Sequence, residues 1–199
     1  MYDLERLCGR ISYGNANARD LIQLKNSIKV LPNLKNILNN LNFHSTFDTL
    51  DSLFVILDNS INEDAPITLK EGSLIKSGFN NDIDELKESR KGGKDFILKF
   101  ENDEKIRTGI KNLKVGYNKV FGYYIEISKG SINLIPEDAG YERKQTLANC
   151  ERYITPLLKE KEELILGAEE KIISMEYNLF IEIRDKVKEY IPKLQSISK

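Results

Sequence analysis

Two short stretches in the middle of the chain carry the residues with the clearest potential for chemistry: "KVGYNKVFGYYIEIS" at residues 114–128 and "RKQTLANCERYIT" at residues 143–155. Each contains a candidate hairpin turn with an asparagine, Asn118 before Lys119 in the first and Asn149 in the second. Asparagine tolerates the positive φ that tight turns require. Amide and ammonium groups on such turns can donate hydrogen bonds to phosphate oxygens, which positions a nucleic acid without reading its sequence. From the residues alone, the alternative that these are ordinary solvated turn residues stays open.

The charge distribution also favours a nucleic-acid contact in the central part of the chain. The chain has a formal net charge of −1, which does not indicate a strongly basic nucleic-acid binder. Between Lys105 and Tyr153, however, there are nine Lys/Arg and five Asp/Glu, a balance of +4, which leaves 21 of the 30 Lys/Arg and 26 of the 31 Asp/Glu elsewhere. The central segment is therefore the basic part of a mildly acidic chain.

Other chemistries are not indicated. Cys8 and Cys150 are far apart, so we expect free thiols rather than a metal site or a disulfide. His44 is the single histidine and lacks convergent partners, and the carboxylates are spread over helix faces. "RKGGKDF" lacks the spacing of a phosphate-binding loop and has Asp95 where Ser or Thr is needed. No apolar run approaches the roughly 18 residues of a membrane span, and no signal peptide is indicated.

The two stretches predict a small β module. Phe121, Tyr123, Ile125 and Ile127 alternate with other side chains, which is typical of a strand. With turns at Asn118-Lys119 and Ala148-Asn149, we expect two hairpins and four antiparallel strands, whose turns could lie at one end of the sheet. Packing on the sheet face is favoured for the tyrosines over stacking on bases.

Helices are predicted for most of the remaining chain. The first 60 residues have helical periodicity, with Asn17 before Asp20 as an N-cap, Pro32 as a stop or kink, and Ser45 as a further helix start. Residues 62–80 are predicted to form a connector. The chain also begins directly in a helical pattern, from which we expect it to be cut from a larger protein.

Two long helices are predicted to flank the β module. The first covers about residues 81–108 and is expected to kink or loosen at Gly92 and Gly93. The second begins after Thr155 as N-cap, with Pro156 in its first turn, and runs for about 36 residues. Its predicted buried stripe has coiled-coil-like spacing and comprises Ile165, Ala168, Ile172, Met175, Leu179, Ile183, Val187 and Tyr190.

Three stretches resemble the bacterial MutS family of DNA mismatch repair proteins: "YDLERLCGRISYGNANARDLIQLKNSIKVLP", "TGIKNLKVGYNKVFGYYIEIS" and "RKQTLANCERYITPLLKEKEELIL". The resemblance covers essentially the whole chain, and the second and third stretches are specific in that order. It implies a mainly α fold with a small antiparallel β insertion: a helical core plus two long antiparallel lever helices that carry a four-stranded β clamp at the tip. The predicted domains are 1–108 (helical core and outgoing lever helix), 109–155 (β clamp) and 156–199 (returning lever helix).

The resemblance also implies which residues contact the DNA backbone. Asn118 and Asn149 match turn asparagines of the family, and Lys129 matches a basic position after the tyrosine-rich strand. Ala148 departs from the lysine that is usual in relatives, so a weaker contact is expected there. The full set of expected backbone-binding residues, which includes the turn lysine, is Asn118, Lys119, Lys129, Arg143, Lys144, Gln145 and Asn149.

By the same resemblance, the parent protein is a DNA-dependent ATPase that uses ATP and Mg²⁺, binds double-stranded DNA as a homodimer with a second MutS subunit, and works with a MutL-type partner in the cytoplasm, associated with the nucleoid during repair. This stretch, without the ATPase domain, is expected to hold no cofactor and to be no enzyme. Two alternatives stay open. One is a helical scaffold whose β tip binds another protein. The other is a MutS-like protein outside mismatch repair, although such relatives generally lack or reduce the β insertion.

Overall fold

The computed structural model describes residues 3–43 and 46–198, so His44 and Ser45 lie outside the described residues. Residues 46–50 are not helical and the next helix begins at Asp51, so the helix start predicted at Ser45 is wrong. The fold is mainly helical with one small antiparallel sheet, which confirms the predicted class. Two short 3₁₀ helices, Leu69–Glu71 and Lys129–Leu134, lie in connecting segments. The helices are α1 (Leu4–Ser12), α2 (Ala18–Ile28), α3 (Leu31–Asn40), α4 (Asp51–Ser60), α5 (Asn81–Thr108), α6 (Pro156–Lys188) and α7 (Ile191–Ser198), and the strands are β1 (Lys114–Asn118), β2 (Gly122–Ser128), β3 (Glu142–Thr146) and β4 (Cys150–Ile154).

The chain divides into two compact units. The first contains the described residues up to Asp84 and those from Ile172 onward, and the second comprises Glu85–Lys171. The long helices α5 and α6 each contribute residues to both units. The domain boundaries predicted after residues 108 and 155 stay a prediction.

The first unit is a helical core with well-defined helix ends. The side chain of Asn17 accepts a hydrogen bond from the backbone of Asp20, and Asp20 accepts one in return from the backbone of Asn17, which confirms the predicted N-cap and forms a capping box. Pro32 lies in the first turn of α3, where its missing N–H costs little, so α2 ends before it at Ile28. The core is formed by fully buried aliphatic side chains of α1, α2, α4 and α6, among them Leu7, Ile11, Leu21, Leu24, Leu53, Leu57 and Val187.

The buried stripe of α6 differs in part from the predicted one. Met175 and Leu179 are only half-buried, and the neighbouring Glu176 and Phe180 are fully buried instead. A straight helix has 3.6 residues per turn and drifts from a coiled-coil repeat of 3.5, so the buried face moves by one residue along a long helix. The Glu176 carboxylate accepts a hydrogen bond from the backbone N–H of Leu74 at 3.2 Å.

The N-terminus of α6 follows the sequence prediction, but its C-terminus does not. The hydroxyl of Thr155 accepts a hydrogen bond from the backbone of Leu158, which confirms Thr155 as the N-cap. The helix has 33 residues, about 50 Å at 1.5 Å per residue, and not the predicted 36 or so. It ends at Lys188 because Pro192 cannot continue it, and Pro192 instead lies in the first turn of α7.

In the second unit, α5 and α6 run antiparallel. Arg90 pairs with Glu169 at 3.9 Å, and the Lys161 ammonium lies 5.4 Å from the centre of the Phe96 ring. Later residues of α5 thus contact earlier residues of α6, as antiparallel helices do. The α5 helix continues without a break through Gly92 and Gly93. A Cβ at Gly93 would lie 2.5 Å from Cγ1 of Ile165, so this glycine permits close approach of α6.

The four strands form one antiparallel sheet with the order β1-β2-β4-β3, as two hairpins joined through β2 and β4. Ile125 and Ile127 of β2 face the core of the unit and are fully buried, which confirms the predicted alternation. Phe121, predicted to begin this strand, lies in the preceding loop. The core also contains Ile97 and Phe100 of α5, Tyr153 of β4, and Leu158 and Ile165 of α6.

The opposite sheet face explains the aromatic composition. The Tyr124 ring lies over Gly116, where a Cβ would approach it to 2.7 Å, and it is covered by the Arg152 guanidinium at 4.4 Å and by the edge of Phe121 at 5.6 Å between ring centres. Tyr117 contacts Tyr123 on the core-facing side, at 5.1 Å between ring centres. The tyrosines therefore pack within the sheet, as favoured from the sequence. Within residues 3–43 and 46–198, no helix has the combined length and apolarity of a bilayer-crossing segment.

Candidate nucleic-acid interface

The β1–β2 loop is built around the side chain of Asn118. Its Oδ1 accepts hydrogen bonds from the backbone N–H groups of Val120 and Phe121, at 2.9 and 3.0 Å. Asn118 pairs with Gly122 as the last residue pair of the hairpin, so the loop has three residues, and the two-residue turn predicted at Asn118-Lys119 is wrong. Gly122 has φ +76°, the left-handed conformation that closes a three-residue loop. Because Oδ1 is occupied by the turn, the amide nitrogen of Asn118 is the group left to donate outward.

Two side chains of α6 hold this loop. The Lys159 ammonium donates to the carbonyl oxygen of Phe121 at 2.7 Å, and the Glu162 carboxylate accepts from the backbone N–H of Tyr123 at 3.1 Å. The two side chains also contact each other, at 3.2 Å. Neither residue was identified from the sequence, because they lie 38 and 39 positions along the chain from their loop partners.

The β3–β4 turn is formed by the backbone. Leu147 donates its N–H to the carbonyl of Cys150 at 2.9 Å, and the chain bends at Ala148 and Asn149, where the turn was predicted. The backbone N–H of Lys129 donates to the carbonyl of Asn149 at 3.0 Å. The structure thus brings Lys129 and Asn149 together, and both side chains are exposed.

The two loops lie at opposite ends of the sheet, so the expectation that they could share one end is wrong. The β1–β2 loop adjoins Gly122 at the start of β2, whereas Ser128 at its end pairs with Cys150 beside the β3–β4 turn. The six-residue separation of Gly122 and Ser128 corresponds to about 20 Å along the strand. The physical cause is the antiparallel pairing of β2 with β4, which reverses one hairpin relative to the other.

The polar residues of β3 have partners within the sheet. The Arg143 guanidinium lies 3.5 Å from the Glu151 carboxylate, Lys144 pairs with Glu142, and the side-chain amide oxygen of Gln145 accepts from the Arg152 guanidinium at 3.1 Å. A register irregularity between Arg143 and Gln145 leaves Lys144 without a pairing partner on β4, since Arg143 pairs with Tyr153 and Gln145 with the adjacent Arg152. The sequence-predicted residues Arg143, Lys144 and Gln145 are therefore on one edge strand, with their charges or dipoles partly compensated.

The electrostatics of β4 keep Glu151 ionised. The hydrogen bond from the Tyr153 hydroxyl, at 2.6 Å, is the main cause that lowers the pKa of Glu151. Burial, together with this bond, raises the pKa of Tyr153 to about 12. The ionised carboxylate compensates Arg143. By contrast, within the part of the chain that the structure describes, neither Lys119 nor Lys129 has a carboxylate within 4.0 Å, and both are exposed. The charge of Lys129 helps to lower the pKa of Glu151 from a greater distance. Lys119 and Lys129 are therefore exposed cations beside the two asparagine-bearing turns.

A second polar cluster lies at the C-terminal end of α5. Arg107 donates two hydrogen bonds to Glu104, at 3.0 and 2.7 Å, and the Tyr141 hydroxyl donates to the same carboxylate. Burial acts to raise the pKa of Glu104, but the hydrogen bonds from Arg107 and Tyr141 outweigh it, and the pKa is lowered. Because all three groups satisfy one another, this cluster ties the end of α5 to the segment before β3 rather than presenting an acid or base.

Metal chemistry finds no support in the described ranges, where no three His, Cys, Asp or Glu side chains could jointly hold an ion. Cys8 and Cys150 are free thiols; Cys8 is buried, whereas Cys150 is only half-buried. Burial raises the pKa of Cys8, which keeps that thiol protonated.

Comparison with known proteins identifies the family. The sequence model of the family described as "MutS family domain IV" matches residues 78–171, which include the sheet, α5 and the first half of α6. The protein named DNA mismatch repair protein MutS is 53% identical to this chain in Bacillus licheniformis, 50% in Bacillus subtilis and 51% in Staphylococcus aureus strain Newman, each over 205 aligned residues. Each alignment covers 100% of this chain and 24% of the relative, so the chain spans about a quarter of the length of these relatives. The chain therefore belongs to the MutS family of DNA mismatch repair proteins, of which it carries the domain IV region.

Proposed function

We propose that this chain contacts the backbone of duplex DNA through the two ends of its sheet, without sequence specificity, and links that grip to an ATPase domain elsewhere in a longer protein. The observation that carries the proposal is the pair of exposed lysines without carboxylate partners, Lys119 and Lys129, each beside an asparagine-bearing turn. Ammonium groups contact phosphate oxygens, and such contacts position a protein on DNA without reading bases.

About 20 Å separates the two ends along β2, so Lys119 and Lys129 would contact separate phosphates. Asn118 and Asn149 would add amide donors beside them. Arg143, Lys144 and Gln145 would contribute less, because their partners within the sheet must first be displaced.

The family supports the remaining proposals. The longer protein would hydrolyse ATP with Mg²⁺, pair with a second MutS subunit around double-stranded DNA, and act with a MutL-type partner in the cytoplasm. In that setting α5 and α6 would carry motion between the sheet and the ATPase domain, since helices of this length are rigid connectors.

The test is DNA binding by this chain at several salt concentrations, measured by fluorescence anisotropy with matched and mismatched duplexes. Two phosphate contacts predict that log K falls against log salt with a slope of about −2, equal for both duplexes. Lys119→Ala and Lys129→Ala should each reduce the slope by about 0.9. Lys29→Ala is the control, because it removes the same charge from an exposed lysine of the first unit, outside the sheet. An unchanged slope in the Lys119/Lys129 double variant would refute the proposal.

Binding of another protein is the second candidate function, and one observation favours it. Val120, at the apex of the β1–β2 loop, is 87% exposed and apolar. A protein partner would be expected to bind with little dependence on salt, and Val120→Ser would weaken that binding while leaving any DNA affinity unchanged.

A further inference from the structure

The two loops at the ends of the sheet are held in different ways. At the β3–β4 turn, the backbone N–H groups of Leu147 and Lys129 donate to the carbonyls of Cys150 and Asn149. At the β1–β2 loop, two charged side chains of α6 reach the loop backbone: Lys159 bonds the carbonyl of Phe121 and Glu162 bonds the N–H of Tyr123. The β1–β2 loop is thus attached to α6 at two backbone groups, the carbonyl of Phe121 and the N–H of Tyr123.

Gly122 shows how closely the loop and the helix fit. It lies between the two bonded residues, and a Cβ added there would stand only 1.9–2.1 Å from the carboxylate atoms of Glu162. The carboxylate therefore occupies the space that any side chain at this position would need. Its backbone φ of +76° is also one that other residues adopt at a cost. The conformation of the β1–β2 loop at Gly122 and the position of the Glu162 carboxylate therefore depend on each other.

We propose that Lys159 and Glu162 are positioning residues for DNA binding, which hold the β1–β2 loop in the conformation that presents Asn118 and Lys119. This inference rests on the proposed function. Neither α6 side chain would contact DNA, since each is engaged with the loop backbone and with the other. A ligand binds more weakly in proportion to the fraction of time its site spends in the competent conformation. Releasing the anchor therefore weakens binding without removing any phosphate contact.

Because Glu162 is negatively charged, a role through charge and a role as an anchor predict opposite changes in DNA affinity for Glu162→Ala. Removing a carboxylate near DNA reduces repulsion, so charge alone predicts that Glu162→Ala binds DNA more tightly. Loss of the anchor predicts weaker binding. Glu163, one residue further along α6, is exposed, and Glu163→Ala removes the same charge without touching the loop. Glu162→Gln removes the charge as well, but it keeps a carbonyl oxygen that can accept from the Tyr123 N–H.

The experiment combines two measurements on the whole chain: dissociation constants for a matched duplex at low salt, and hydrogen exchange at the Tyr123 amide. For Glu162→Ala we expect faster exchange and a dissociation constant raised about three- to tenfold, which corresponds to a loop that is competent about a tenth to a third of the time. Glu163→Ala should leave exchange unchanged and bind at least as tightly as the unchanged chain. Glu162→Gln should restore both quantities. In a Lys119→Ala background, the effect of Glu162→Ala on binding should become smaller, because one of the two groups that the anchor positions is gone.

Two outcomes would overturn the inference while the proposed function stands. One is salt-dependent DNA binding that Glu162→Ala and Glu163→Ala change equally, which would show that Glu162 acts only through its charge. The other is unchanged exchange at Tyr123 in Glu162→Ala, which would show that the carboxylate does not hold the loop. If the unchanged chain fails to bind duplex DNA even at low salt, the proposed function fails, and the inference fails with it.

Discussion

Replacing Gly93 with alanine is expected to destabilise the protein, although the same change one residue earlier is expected to stabilise it. Alanine is favoured over glycine inside a helix by about 0.5–1 kcal/mol, and both glycines lie inside the continuous α5. A Cβ at Gly92 meets nothing within 4 Å, so Gly92→Ala should gain that amount. At Gly93, the new Cβ would lie 2.5 Å from Cγ1 and 3.2 Å from Cδ1 of Ile165.

The magnitude follows from these distances. Carbon atoms in contact are normally about 3.5–4.0 Å apart, so Ile165 or the helix backbone must move by about 1 Å. Overpacking of this kind costs about 1–3 kcal/mol. Since the gain in helix propensity is common to both variants, Gly93→Ala should be less stable than Gly92→Ala by about 1–3 kcal/mol.

Urea unfolding monitored by circular dichroism would measure both variants. Ile165→Ala by itself should destabilise the chain by about 2–5 kcal/mol, as expected for a buried isoleucine. Combined with Gly93→Ala, it should cost less than the sum of the two single changes, because the added methyl group enters the vacated space. If Gly93→Ala stabilised the chain as much as Gly92→Ala does, the close approach of α5 and α6 at this position would be refuted.

Two further predictions separate roles within the sheet and its surroundings. Asn118→Asp keeps the oxygen that accepts from the loop backbone, so the free energy of unfolding should change little, while DNA affinity should fall because the new charge repels phosphate. The turn role of Asn118 would be contradicted if Asn118→Ala and Asn118→Asp lowered DNA affinity equally and neither variant lost stability. The lowered pKa of Glu104 means that its contribution to stability is complete above its ordinary value near 4.5 and is lost as pH falls through the lower folded value. Acid titration of unfolding free energy should therefore be steeper below about pH 4.5 in the unchanged chain than in Arg107→Met, and equal slopes would count against the role of Arg107.

Local sequence signals predicted the elements well. Asn17 with Asp20, and Thr155 with Pro156, mark helix starts by interactions within three residues, so no distant part of the chain is needed to interpret them. The alternation around Ile125 and Ile127 predicted both the strand and its buried face. The α6 helix ends earlier than predicted because Pro192 stops it at Lys188, although the apolar periodicity continues to Tyr190.

The candidate interface was predictable in composition but not in arrangement. Asn118, Lys119, Lys129 and Asn149 were recognised from turn chemistry and family resemblance. The pairing of Lys144 with Glu142 is local, because the two residues are two positions apart on β3. The partners of Arg143 and Gln145 could not be predicted, because Glu151 and Arg152 reach them only through the pairing of β3 with β4.

By itself, the sequence determined the helix starts at Ala18 and Pro156, the two hairpins and the family resemblance, since these depend on residue type, short spacing and motif; it did not determine the length of the β1–β2 loop or the end of α6. Only the tertiary structure decided that β2 pairs with β4, which places the two loops at opposite ends of the sheet. Only the tertiary structure, likewise, brought Lys159 and Glu162 to the β1–β2 loop. The physical reason is the same in both cases: these contacts join parts of the chain more than 20 residues apart, and they form only when the burial of a shared core offsets the entropy of closing the intervening chain.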